Sequence, residues 1–186
     1  MVDSIGEGLD AALRGAFTRP IPKSASAQMR YLVKQHKGST AQVALLLGIS
    51  QRTVERYVKD QIKRPRPALA QALADQVRKR WQPQIRQQAI KRAATSSGLM
   101  VDVRARFGFT AAPGTTDDAR LRHLTLPLPP EHAARLLTAR QAGASEAELR
   151  QAAAEALGDV YFRDAGRRAH GLEVELADLE HIEFDL

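Results

Sequence analysis

Thr40-Ala41-Gln42-Val43-Ala44-Leu45-Leu46-Leu47-Gly48-Ile49-Ser50-Gln51-Arg52-Thr53-Val54-Glu55-Arg56-Tyr57-Val58-Lys59 is the stretch on which the reading of the fold turns. Thr40 can cap a helix whose Val43, Ala44 and Leu47 face inward, and Gly48 ends it because glycine takes the left-handed conformation without a Cβ penalty. Ser50 then caps a second helix with Val54, Tyr57 and Val58 buried and Gln51, Arg52, Glu55, Arg56 and Lys59 outside. A small residue where the helices touch, a turn glycine, and Ile49 and Val54 to fix the crossing together have the spacing of a helix-turn-helix. The second helix of such a motif enters the major groove with its first residues at base edges. Gln51, Arg52, Thr53 and Arg56 are therefore the candidate readers, arginine favouring guanine and glutamine adenine, with Lys59 beside them. The competing reading, a helical hairpin used only for packing, fits poorly with an outer face that is basic and polar.

Upstream, Met29, Leu32, Val33 and His36 recur at helical spacing over 25–36, after Pro20-Ile21-Pro22, with Ser24 or Ser26 as cap. Downstream, Lys63-Arg64-Pro65-Arg66-Pro67 is extended, since a residue before proline is pushed out of the α region. Arg64 and Arg66 are then either a minor-groove arm or part of a plain hinge. Residues 68–94 read as helix, with Leu69, Ala72, Leu73, Val77 and Trp81 on one stripe, a basic opposite face, and Pro83 to kink or split it. That face either tracks phosphates or is simply solvated.

From Leu99 the period changes to two. Val101, Val103, Ala105, Phe107 and Phe109 alternate with Asp102, Arg104 and Arg106, and a second alternation runs over 120–128. Helices follow over 130–142 and, behind a Ser145/Glu148 capping box, from 145 to 160. Two more alternating runs, 172–176 and 182–186, carry acids on their outer positions, which predicts pairing beside the arginine-bearing strands. The expected class is α+β in three parts: a helix-turn-helix helical domain with a basic arm over 1–67, a basic helical linker over 68–98, and a small sheet with two helices over 99–186.

The whole chain has 186 residues, 44% hydrophobic, with no cysteine and a formal charge of +7. This excludes a disulfide scaffold, a thiolate nucleophile and Cys-ligated zinc, and no run is apolar enough to cross a membrane. The charge is divided, because residues 1–110 hold 20 Lys+Arg and 7 acids while 111–186 hold 8 and 14. A basic N-terminal half is the electrostatic footprint of a polyanion binder. His36, His123, His132, His170 and His181 lack metal-ligand spacing, and no P-loop or dinucleotide fingerprint occurs, so no metal or cofactor of its own is expected. One loop, 110–118, presents Thr115 and Thr116 beside Asp117 and Asp118 behind a Pro113-Gly114 turn. Thr115 and Asp118 also have capping-box spacing, so the segment is either a reactive loop or the start of a helical turn.

Several runs carry a further likeness: Ala16-Phe17-Thr18-Arg19-Pro20, Gln28-Met29-Arg30-Tyr31-Leu32-Val33-Lys34, Gln51-Arg52-Thr53-Val54-Glu55-Arg56-Tyr57, Arg78-Lys79-Arg80-Trp81-Gln82-Pro83, Pro113-Gly114-Thr115-Thr116-Asp117-Asp118 and Glu180-His181-Ile182-Glu183-Phe184-Asp185-Leu186. Across almost its whole length the chain resembles the telomere terminal proteins of linear Streptomyces replicons. The resemblance implies a protein joined covalently to the 5′ end of linear DNA, whose threonine hydroxyl accepts the first nucleotide and primes filling of the telomeric gap. It carries that role onto Thr115 or Thr116, with Thr115 preferred because it follows Gly114, and Asp117 and Asp118 in support. The chain would then be a primer rather than an enzyme. It would work at replicon ends in the cytoplasmic nucleoid, with single-stranded or duplex telomeric DNA, a telomere-associated protein and a DNA polymerase that brings its own divalent metal. Should attachment instead be alkali-stable, Tyr31, Tyr57 or Tyr161 would be the acceptor. The alternative function is a helix-turn-helix regulator with a ligand-sensing or dimerisation domain.

Overall fold

The Ser4 hydroxyl accepts the Glu7 N–H and starts α1 (Ile5–Gly15), whose Ile5, Leu9, Ala12 and Leu13 fall on one buried stripe. The computed structural model describes residues 4–110, 120–163 and 173–186. The fold is α+β, with eight α-helices and one three-stranded antiparallel sheet among the described residues. None of these helices is long and apolar enough to cross a membrane.

The chain forms two compact units, Thr18–Pro83 and a second one that joins the segment ending at Phe17 to Gln84–Leu186. This differs from the division expected at 67 and 98, for two physical reasons. The stripe of α1 is buried in the core of the second unit, so the chain's start does not belong to the helical unit. The helix expected as a linker buries Leu73 and Val77 completely among the helices that precede it.

The helical unit holds α2 (Ala25–Gln35), α3 (Thr40–Leu47), α4 (Gln51–Val58) and α5 (Pro67–Arg80). Ser24, Ser39 and Ser50 cap the first three, each accepting an N–H three residues on. Ser39 is the cap where Thr40 was expected, because Thr40 is already helical and Ser39 keeps the extended conformation. Gly48 sits at φ +64, and the Ile49 N–H reaches back to the Ala44 carbonyl at 3.0 Å, closing α3. Met29, Leu32, Val43, Val54, Tyr57, Leu73 and Val77 form the core. Pro83 splits the long helical run: α5 ends at Arg80 and α6 (Pro83–Arg92) begins anew.

In the second unit α6 runs on through a π turn (Ala93–Ser97) into β1 (Leu99–Thr110). β2 (Arg120–Leu128), α7 (Pro130–Ala142) and α8 (Glu146–Leu157), with its own π turn (Gly158–Phe162), precede β3 (Glu173–Asp185). The strand order is β2-β1-β3, with Val101 opposite Leu126 and Phe184, and Val103 opposite Leu124 and Ile182. Where two terminal runs were expected there is one strand, because a register shift beside Ala105 absorbs the break in alternation. Its acids lie beside the arginines, Arg104 Nε at 2.8 Å from Glu180 and Arg106 Nε at 3.4 Å from Asp178. The expected two covering helices are joined by α1, which is tied in at its start. Glu146 of α8 accepts the Ser4 hydroxyl at 2.8 Å and the backbone N–H groups of Ile5 at 2.6 Å and Gly6 at 3.1 Å. Asp10 in turn pairs with Arg140 at 2.6 Å, and this bond raises the Arg140 pKa.

Candidate nucleic-acid interface

Helix α4 starts sharply because Ser50 caps it, and Val54 and Tyr57 bury one side, so the other side has no choice but solvent. Gln51, Arg52, Arg56 and Lys59 are exposed there, and the three cations form no ion pair among the described residues. Thr53 differs from the expectation that it reads bases. It is half-buried, its N–H donates to the Ser50 hydroxyl at 3.2 Å, and its own hydroxyl lies 2.8 Å from the same oxygen. Thr53 is therefore engaged in the cap.

Sequence reasoning assigned no role to Glu55. Its Oε1 accepts from Gln51 Nε2 at 2.9 Å and so orients that amide, which the i,i+4 spacing could have signalled. Arg64 and Arg66 are exposed on the extended connection between α4 and α5, and Pro67 opens α5.

The electrostatics of this unit are one-sided. Thr18–Pro83 carries 14 Lys+Arg against three acids, while the rest of the chain carries 14 against 18. Two of the three acids are already paired, Asp60 with Arg30 at 2.8 Å and Asp75 with Arg78 at 3.2 Å. The Asp60 carboxyl is held below its ordinary range, first by the Ser26 hydroxyl and then by Arg30. Surface carboxylates bound in this way do little to neutralise the remaining cations. Such a surface attracts polyanions at long range and loses that attraction with salt.

Some predicted cations serve the fold. Arg80 is hydrogen-bonded to the Gln76 side chain, and its carbonyl accepts the Tyr31 hydroxyl at 2.5 Å. Trp81 stacks obliquely on Tyr31 at 4.8 Å and donates to the Arg19 carbonyl at 3.1 Å. Gln82 and Thr18 exchange two hydrogen bonds, at 3.1 and 2.8 Å. These contacts hold the two ends of the unit's chain together.

Thr115, Thr116, Asp117 and Asp118 lie outside the described residues. The strands on either side of that segment are described: β1 and β2 pair antiparallel as far as Phe107 opposite Arg120. Among the tyrosines, Tyr57 is 3% exposed, and the Tyr31 hydroxyl is committed to a carbonyl, with burial raising its pKa. Tyr161, at 46%, is the most exposed of the three.

On the open face of the sheet Asp102 accepts the Thr125 hydroxyl at 2.5 Å and faces the Nε2 atoms of His123 at 3.0 Å and His181 at 3.7 Å. The Thr125 hydrogen bond, followed by that of His123, lowers the Asp102 pKa. Compared with known proteins, the chain matches no family model, no curated protein and no solved structure.

Proposed function

We propose that this chain is a terminal protein: it binds the ends of linear DNA through its helical unit, becomes joined to the 5′ end through Thr115 or Thr116, and primes end-patching synthesis. The observation that carries the DNA-binding part is the concentration of unpaired cations on Thr18–Pro83 around a capped, outward-facing α4. A helix-turn-helix role for α3 and α4 is supported by Gly48 at φ +64 and by the buried Ala44 and Val54. Arg52 and Arg56 suit base edges, while Lys59, Arg64 and Arg66 suit phosphates.

The priming part rests on the resemblance and on the chemistry a polymerase requires. A threonine Oγ replaces the primer 3′-hydroxyl and attacks the α-phosphorus of an incoming deoxynucleoside triphosphate. The new Oγ–P bond forms as the bond to pyrophosphate breaks, and the hydroxyl proton passes to solvent or to a base of the polymerase. Threonine is a weak nucleophile at neutral pH, and the polymerase's metal ions supply the activation. The chain then needs no triad of its own, and small residues around a Pro-Gly turn suit entry into a narrow cleft.

A regulator would draw on the same helices, so one reaction separates the two. The protein is incubated with telomeric template, polymerase, telomere-associated partner and labelled nucleotide, then denatured. A primer retains label, and Thr115→Ala or Thr116→Ala abolishes it; a regulator stays unlabelled. Full labelling of both single variants and of the double variant would remove the threonines from the account.

A further inference from the structure

A cleft of about 840 Å³ runs between one face of α8 and the first residues of β3. Its β3 wall is four consecutive residues, Glu173, Val174, Glu175 and Leu176, so the cleft follows the strand's edge rather than one of its faces. Among the described residues β3 is terminal in the sheet, and alternate residues of an edge strand point N–H and C=O groups away from the ladder. Farther along β3, Gly8 of α1 packs against the Ile182 carbonyl and the Phe184 ring. The stretch beside α8 faces a cleft and has no further strand among the described residues. The other sheet edge, β2, carries Pro127, which cannot donate to a ladder.

The side chains around the cleft say what fits. Glu173 and Glu175 share one face of β3, are exposed, and form no ion pair among the described residues. Val174 and Leu176 share the opposite face, toward which the buried methyl of Ala154 contributes a shallow apolar wall. Arg150 and Arg163 line the α8 side, with Arg163 held to Asp159 at 2.7 Å.

We propose that this cleft receives an extended segment of a partner protein, alternating basic and apolar residues, which adds to the sheet as a fourth strand beside Glu173–Leu176. Basic residues of the incoming strand lie beside Glu173 and Glu175, and its apolar residues beside Val174 and Leu176. Four residues of β3 span roughly 13 Å, so a segment of about four to six residues suffices. This surface is independent of the DNA-binding and priming assignments.

The test uses the full chain and a fluorescein-labelled, acetylated six-residue peptide that alternates lysine and valine, followed by anisotropy. Saturable binding is expected, weakened about tenfold by the double variant Glu173→Lys, Glu175→Lys, whose sites are exposed. A peptide of the same charge, N-methylated at alternate residues on its ladder edge, is expected to lose most of its affinity. Hydrogen exchange at the backbone of residues 173–176 is expected to slow only with the unmethylated peptide. Equal binding of the methylated peptide would reduce the effect to bulk charge and overturn the proposal, as would undiminished affinity in the double variant. Self-association of the chain in competition with the peptide would make the occupant a second copy and overturn a separate partner.

Discussion

The two units of this chain treat charge and core in opposite ways. The α+β unit buries Phe107, Leu99, Leu128, Leu136, Leu149 and their neighbours in one large cluster and sets its acids against arginines across strands and helices. The helical unit Thr18–Pro83 rests on nine buried residues and leaves most of its 14 cations without a counter-charge. Self-repulsion of that kind lowers the stability of a small unit, and a polyanion bound to it removes the repulsion. Under the proposed function the helical unit gains stability from bound nucleic acid, whereas the α+β unit relies on its own contacts.

The α+β side of this contrast is most vulnerable at Gly98. It lies at φ +67, and a Cβ there would sit 2.1 Å from the Leu128 carbonyl oxygen, a backbone atom with nowhere to go. Gly98→Ala is expected to cost the α+β unit about 4 kcal/mol, read from urea unfolding by hydrogen exchange along β1 and β2. Next comes Leu73→Ala in the small core, expected to cost about 3 kcal/mol and followed through Trp81, the chain's single tryptophan, which packs against that core. Added telomeric duplex should restore part of this loss, and no restoration would contradict the link between charge and stability.

A smaller effect belongs to the outer face of α4. Arg52→Ala with Arg56→Ala should weaken duplex binding about tenfold and lower the slope of log affinity against log salt by about 0.9 for each phosphate no longer neutralised, as titrations at several salt concentrations would measure. The smallest effect belongs to Asp102, whose carboxyl titrates below its unfolded value. Its contribution is present above about pH 4 and is lost as the pH falls through the folded pKa, so Asp102→Asn should flatten the acid limb of sheet unfolding. A steeper limb in the variant would reverse the assignment.

Much of this was readable in the sequence wherever a local rule had no competitor. Ser50, Gly48 and the Ser145/Glu148 box sit where capping chemistry requires, and the period of two gave β1 and β2 their register faces. Helix α1 has no counterpart in the sequence reading, and it carries two glycines, Gly6 and Gly8. In place they permit close approach, a Cβ at Gly8 falling 3.1 Å from Phe184, and the Ile5/Leu9/Leu13 spacing was the available signal. The boundary after Pro67 was misplaced since a basic exposed face on α5 hides the fact that Leu73 and Val77 complete the core of the helices before it. At the candidate site the cationic positions followed from residue type, while the capture of Thr53 by Ser50 and of Gln51 by Glu55 depends on side-chain geometry that spacing only hints at.

The proposed covalent link has a direct measurement. After a priming reaction, trypsin cleavage at Arg106 and Arg120 releases residues 107–120, and mass spectrometry reads whether that peptide has gained one nucleoside monophosphate and on which hydroxyl. The account predicts the added mass on Thr115 or Thr116. An unmodified 107–120 peptide from protein that carries label elsewhere, or from protein that carries none in a reaction with active polymerase, would contradict it.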